Sequence, residues 1–438
     1  MKLRIAVVLF VFLLFSKVAH AQEQVSLEQV IALALEKNYD VRLARNTSES
    51  ATTNDNFSFG LLIPQVNAVS STTWTDRREE YTFADESSSG GDAKFNTTSA
   101  SLQAVWTLFD GTKMFVTRGR LSEIASQGEL RVKDQMVNSI AQVINGYYNI
   151  VRQKQQLRAT LEQMSINEER VKLAERKLQV GTGGKPELLQ AKVDLNAQRT
   201  LVLQQETIII QLKDQLNGLV ELQLPPSYDV SDSILINLDI KQEEIIHNIE
   251  NTNYGLQSAR QDIRINSLSL KERKAERSPI INFNGALNYI NTNNTLLIDP
   301  FRAQSGTLTG FNYGLSFTFP IMNGFNITRN IQQAKITLNR QQLLYDQQKQ
   351  QIDIGVRIAY VNYDNAKKVL LLEEENILLA KENVMIALES FKRGVATFIE
   401  LRTAQQSLAD GYNRLINARY LAKIAETELL RLNGGLLK

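Results

Sequence analysis

Two glutamates in this 438-residue chain stand at matching places. Glu187 lies six residues after Gly181, and Glu400 six residues after Gly394, 213 positions further on. A carboxylate early in a helix satisfies the positive end of the backbone dipole. Where its charge faces an aqueous path, it concentrates cations. Little else here could do chemistry. The chain has no cysteine, which excludes a thiol nucleophile, a disulfide scaffold and a lipid on an N-terminal cysteine. Of its two histidines, only His247 lies beyond the first twenty residues. No His/Cys metal cluster and no Ser-His pairing stands out. Gly181-Thr-Gly-Gly184 is glycine-rich but lacks the Gly-Lys-Ser/Thr pattern of a phosphate loop. The residues argue against an enzyme and call for no cofactor.

The elements that position the two glutamates are helical. Val143, Ile150, Leu157, Met164, Val171 and Leu178 recur every seven residues, and so do Val356, Tyr363, Leu370, Ile377, Val384 and Phe391 at the +213 positions. A strict heptad is a coiled-coil seam, and its recurrence at one offset is an internal duplication. No proline lies between Gln65 and Lys185 or between Ile321 and Lys438, so helices over about 113–180 and 325–393 are expected. At 1.5 Å per residue each would reach about 100 Å. Both stop at a glycine, Gly181 or Gly394, expected at positive φ. The chain then returns along seams at Leu188, Leu195, Val202, Ile209 and Leu216, and at Leu401, Leu408, Leu415, Ala422 and Leu429. These returning helices span about 185–217 and 397–433, and Pro186 suits the first turn of its helix.

The other landmarks fall into the same duplication. Ser26-Leu-Glu-Gln29 is a capping box opening a helix expected to run to about Phe57. Asn38-Tyr39 and Asn253-Tyr254, and Pro64 and Pro279, repeat at an offset of 215. After the second proline, Phe311, Tyr313, Leu315, Phe317, Phe319 and Ile321 alternate with Asn312, Gly314, Ser316, Thr318 and Pro320. That is a strand with one apolar face, long enough to cross a membrane when tilted. Strands are expected at about 61–75, 95–109, 279–290 and 311–321, with polar loops over Asp76–Lys94 and Asn291–Gly310 between partners. Trp106 and Trp74 read as parts of the same lipid-facing surface. The repeats divide the chain into a first unit over 22–218, a linker with some strand character over 219–241, and a second unit over 242–438.

Residues 1–21 read as a secretory signal, with basic Lys2 and Arg4, an apolar run Ile5–Phe15 and small Ala19 and Ala21 around His20. Losing Lys2, Arg4 and Lys17 takes the formal charge from +2 to −1, which is no nucleic-acid-binding balance. No later stretch of 18 apolar residues suggests a membrane helix. Four strands cannot close a barrel, and lipid does not tolerate an open edge, so copies of the chain must complete the sheet. Small polar inward residues such as Asn312, Gly314, Ser316 and Thr318 favour three copies and an open lumen over two.

With these features the chain resembles the TolC-like outer-membrane efflux proteins. The resemblance covers essentially all of the chain after the signal. It rests on the duplicated plan and on the turns Leu178-Gln-Val-Gly181 to Glu187-Leu-Leu-Gln-Ala191 and Phe391-Lys-Arg-Gly394 to Glu400-Leu-Arg-Thr-Ala404. It implies a homotrimer: a 12-strand barrel in the outer membrane joined to a coiled-coil α-helical tunnel in the periplasm. It also implies a passive exit duct of a tripartite efflux or type I secretion system. The partners are then a periplasmic adaptor and an inner-membrane RND pump or ABC transporter. Carried over residue by residue, Glu400 and Glu187 become candidates for acidic rings at a periplasmic gate. Thr403 replaces the second acidic residue that some members carry, and Arg393 is a candidate tie between helices or simply a surface arginine. Leu178, Gly181, Phe391 and Gly394 become candidates for the turns an adaptor grips. Phe311, Tyr313, Leu315, Phe317, Phe319 and Trp106 become the lipid-facing barrel surface. The competing reading is a structural coiled-coil protein of the periplasm; a general porin is a third.

Overall fold

The computed structural model describes residues 24–225, 228–246, 248–296 and 303–437. The signal-like residues 1–21, His247 and part of the second expected loop lie outside the described residues. The elements are α1 (Leu27–Lys37), α2 (Tyr39–Asn56), a 3-10 turn (Phe57–Leu62), β1 (Gln65–Thr82), β2 (Ser88–Phe109), α3 (Lys113–Gln179) and α4 (Lys185–Gly218). Then come α5 (Gln242–Ile246), α6 (Ile249–Thr252), α7 (Tyr254–Ala275), β3 (Ile280–Leu296), β4 (Ser305–Thr318), α8 (Asn326–Lys392), α9 (Phe398–Leu432) and a 3-10 turn (Gly435–Leu437). The fold is mainly helical, with one four-stranded antiparallel sheet and a duplicated layout.

Two compact units draw on both repeats. One comprises Met1–Asn46, Glu129–Gln257 and Gln347–Lys438; the other comprises Thr47–Gly128 and Ser258–Asp346. In the first, the heptad seams are core. Val143, Ile150, Val356, Tyr363, Leu370, Ile377, Val384 and Phe391 are buried, as are Leu195, Leu216, Leu401, Leu408, Ala422 and Leu429. Buried this way, the apolar stripes remove enough surface from water to hold helices whose other faces are polar.

The first helix is not continuous to Phe57. Asn38 breaks it with extended backbone (ψ 129°). Its side-chain oxygen accepts from the N–H groups of Asp40 and Val41, and its amide donates to the carbonyl of Leu219. Asn253 repeats the arrangement, accepting from the Leu256 N–H and donating to the carbonyl of Leu432. An asparagine that caps its own helix offers the backbone a better partner than helix continuation. The Asn-Tyr landmarks are therefore helix starts that also clasp the end of a returning helix.

The second unit holds the sheet, in the order β1-β2-β3-β4. The strands run further than expected. β1 and β2 continue to a turn over 83–87, pairing Thr82 with Ser88, so Asp76–Lys94 is mostly strand, not loop. Polar side chains there pair across the ladder, as Lys94 does with Asp76 at 2.8 Å. With polar residues on both faces the stretch carries no apolar alternation to betray it. Likewise Asn293 pairs with Ser305, so strand structure replaces both ends of the second expected loop. At the other end, β4 stops at Thr318 rather than 321, leaving Phe319 and Ile321 outside it, and Pro320 has no N–H to extend the ladder. Leu61 and Leu62 belong to the 3-10 turn rather than to β1.

Among its described residues the connection over 219–241 shows one isolated bridge, Gln24 to Asp229, rather than a strand. Side chains hold it instead. Tyr147 accepts from the N–H of Ser231 and donates to the carbonyl of Val25. Tyr363 donates to the carbonyl of Asn237 and accepts from the N–H of Ile240. Lys154 donates to the carbonyl of Val230, and Lys367 to that of Leu238. Ile234, Ile236 and Leu238 pack against the buried clusters of the helices.

Candidate functional site

The two turns that end α3 and α8 are built alike. Gly181 and Gly394 have φ of +76° and +77°, a left-handed conformation that a Cβ would strain. The N–H groups of Thr182 and Gly183 both donate to the carbonyl of Lys177, while those of Val395 and Ala396 donate to that of Ser390. Each turn thereby satisfies carbonyls that the helix end leaves open.

The returning helices start differently. Thr397 caps α9: its hydroxyl accepts from the Glu400 N–H, and the Glu400 carboxylate accepts from the Thr397 N–H at 2.7 Å, a complete capping box. At the matching position α4 has Gly184, which offers no side-chain cap, and Pro186 sits in the first turn. The bond from N-cap N–H to carboxylate that Thr397 makes to Glu400 is not formed between Gly184 and Glu187, and one carboxylate oxygen of half-buried Glu187 is enclosed with no hydrogen bond. Glu400 is thus committed to its own helix start, and Glu187 is the carboxylate left unsatisfied. Thr403 donates to the carbonyl of Ile399, one turn back in its helix. Arg393 is exposed at the turn.

Phe391 is only 3 % exposed. Its ring lies 3.8 Å beneath the ammonium of Lys177 and meets Phe398 edge-on. It is an interior anchor joining α8 to α3, not a surface for a partner, and Leu178 is half-buried. Gly181 and Gly394 are exposed, and the apolar side chains standing free beside them are Val180, Val395 and Ile399. Sequence reading passed over these three because they fall off the heptad.

Nearby lies a polar cluster that sequence reading also missed. Arg170, 4 % exposed, pairs with Asp194 of α4, donates to the side-chain oxygen of Gln405 in α9 at 2.9 Å, and lies 4.9 Å from the Phe398 ring. Arg402 reaches Asp194 from α9 at 3.4 Å. The first helical hairpin is thereby tied to the second through one enclosed carboxylate. Burial pushes the Arg170 guanidinium down from its ordinary value, against the pull of Asp194. The available signal was spacing: Gln163, Asn167 and Arg170 form a buried polar stripe at i, i+4, i+7, beside the apolar seam.

In the sheet, Phe311, Tyr313, Leu315 and Phe317 of β4 are 67–76 % exposed, and Phe319 follows them just past the strand. The rings of Phe311 and Tyr313 stack at 6.2 Å. Their neighbours carry polar contacts to β3, Asn288 to Asn312 and Asn284 to Ser316. Trp106 of β2 is partly exposed, and its indole N–H donates to the carbonyl of Leu62. β1 and β4 are the sheet's two edges. Among the described residues no helix is long and apolar enough to cross a membrane, and no cluster of acidic or histidine side chains is arranged to hold a metal.

The same fold occurs in solved outer-membrane channels. CmeC of Campylobacter jejuni superposes with a TM-score of 0.78 at 18% identity, covering 93% of this chain and 85% of CmeC. VceC of Vibrio cholerae gives 0.75 at 15% identity, covering 93% and 96%. The open-state MtrE channel of Neisseria gonorrhoeae gives 0.73 at 16%, covering 94% and 89%. No curated protein matches the chain. The architecture is that of the TolC-like channels. The family model for outer membrane efflux proteins matches residues 30–221 and again 245–435, so the chain belongs to that family, whose members are channels rather than enzymes. The double match is the duplication that the heptads display.

Proposed function

We propose that this chain is the exit duct of an efflux or type I secretion assembly, passively conducting substrates from an inner-membrane transporter and a periplasmic adaptor to the exterior. The observation that carries the reading is the sheet: four strands with two open edges and an exposed aromatic row, in a chain of the outer membrane efflux family. An edge of unpaired N–H and C=O groups is untenable in lipid unless other strands close it. Three copies supply twelve strands and a lumen wide enough for water. On this reading Phe311, Tyr313, Leu315, Phe317, Phe319 and Trp106 face lipid, and residues 1–21 are a cleaved export signal. The turns beside Gly181 and Gly394, with exposed Val180, Val395 and Ile399, meet the adaptor. Rings of Glu187 and Glu400 give the periplasmic entrance a preference for cations. The energy comes from the transporter.

Membrane fractionation followed by native mass measurement tests the assignment. A detergent-requiring trimer extracted from the outer membrane is expected. A water-soluble monomer or dimer would support the structural coiled-coil reading and overturn the duct.

A further inference from the structure

Two guanidinium groups share the one carboxylate of Asp194. Its Oδ1 accepts from Gln190 at 2.8 Å and from Arg402 at 3.4 Å, and its Oδ2 meets Arg170 and, at 3.4 Å, the Nε of Arg402. A carboxylate offers about four lone-pair sites, so Asp194 has none to spare. Among the described residues no second carboxylate pairs with either arginine. Arg402 is partly solvated, but it divides the only counter-charge that Arg170 has.

The shortfall is enclosed. Arg170 and Gln405 are 4 % and 5 % exposed. Arg170 directs Nη2 to Asp194 and Nη1 to the side-chain oxygen of Gln405, 2.9 Å away. Two buried donors then have no acceptor in the protein: the Arg170 Nε–H and the amide nitrogen of Gln405. The bond to its oxygen fixes which end of the Gln405 amide is the donor. The Phe398 ring, 4.9 Å from the guanidinium carbon, covers a flat face, so a partner for Nε comes in along the guanidinium edge. A buried donor without an acceptor costs the desolvation of that group, and a charged donor costs more.

We propose that a monatomic anion of chloride size binds at the Arg170 Nε–H, with the Gln405 amide N–H as its second donor. A water would meet the donors but leave Arg170 sharing its only counter-charge; an anion supplies both the acceptor and the charge. With both side chains enclosed between α3 and α9, a single atom is favoured over a polyatomic anion such as phosphate. The bound anion strengthens the tie between the two hairpins, so halide concentration and hairpin docking are linked. The site is built within one chain and does not depend on the number of copies.

Hydrogen exchange of detergent-extracted full-length protein tests the site, in sodium chloride, sodium bromide and sodium gluconate at equal ionic strength. Protection of the amides around Arg170 and Gln405 should rise with chloride or bromide to a plateau and stay low in gluconate, while the sheet is indifferent to the salt. Gln405→Glu sets a fixed carboxylate beside Arg170, so its protection should already be high in gluconate and no longer respond to halide. In wild-type crystals grown in bromide, anomalous diffraction should show a peak beside Arg170 Nε. Equal protection in all three salts, no bromide peak at Arg170, or a halide response that persists in Gln405→Glu would each overturn the anion site.

Discussion

Lys154 and Lys367, 213 residues apart on α3 and α8, each donate to a main-chain carbonyl of the same connecting segment, at Val230 and Leu238 respectively. The duplication thus supplies both ends of one clasp, with Tyr147 and Tyr363 completing it. Replacing Lys154 by Ala should raise hydrogen exchange at the 228–232 end, and Lys367→Ala at the 238–240 end, with little transfer between them. Equal exchange along the whole segment in either variant would contradict a clasp with two independent ends.

Acid should loosen the first end through Asp232. Hydrogen bonds from Lys154 and Arg158, followed by their charges, hold its carboxyl below the ordinary 3.8. A carboxylate depressed on folding contributes fully above its unfolded value and loses its contribution as pH falls through the folded value. Protection from exchange at Val230–Ser233, relative to the intrinsic rate at each pH, should therefore be constant down to about pH 4 and fall below that. Asp232→Asn should abolish that fall. Burial opposes the charge on Lys154, but the hydrogen bonds and charges of Asp229 and Asp232 outweigh it, so Lys154 stays an ammonium throughout this range.

Arg170→Ala removes a buried guanidinium that ties two hairpins together. Breaking a buried pair costs about 3–5 kcal/mol. Because Arg402 still reaches Asp194, a value near the lower end is expected. Thermal unfolding should show the loss, and Asp194→Ala added to Arg170→Ala should cost little more, since the two act on one contact. Additive losses would mean that the pair is not the tie.

Asn253→Ala should destabilise by about 1–3 kcal/mol, because it leaves the Leu256 N–H and the Leu432 carbonyl without partners. Asn253→Asp keeps the acceptor but loses the donor, and should fall between Ala and wild type. Denaturant midpoints measure both.

Thr397→Ala and Glu400→Ala separate the cap from the gate. Both break the capping box and should each cost about 1 kcal/mol at the start of α9. Only Glu400→Ala, and more strongly its combination with Glu187→Ala, should reduce cation preference in bilayer recordings. If Thr397→Ala shifts selectivity as much, the carboxylates act through helix geometry and not as rings.

The helices were legible because their signals are local and repeated: heptads, glycines at 181 and 394, and capping residues. The outer halves of the strands were not, since residues 76–94 are polar on both faces and pair only through a ladder that sequence does not display. The break at Asn38 was hidden because one of the bonds that hold it, to the Leu219 carbonyl, reaches 181 residues along the chain. At the turns the glutamates were found, but their difference lies in a bond to the N-cap N–H, made at Thr397 and not at Gly184, which depends on the fold of each turn. Arg170 had no local signal to single it out; its partners, Asp194 and Gln405, stand on two other helices, 24 and 235 residues away. Phe391 belongs to the interior because the seam it completes runs to the very end of α8.

The central claim is that copies of this chain form a water-filled path through the outer membrane. Planar-bilayer recording of the detergent-extracted oligomer tests it most directly. The account predicts discrete conductance steps with preference for cations, reduced in Glu187→Ala/Glu400→Ala protein. An oligomer that inserts into lipid and passes no ion would contradict it.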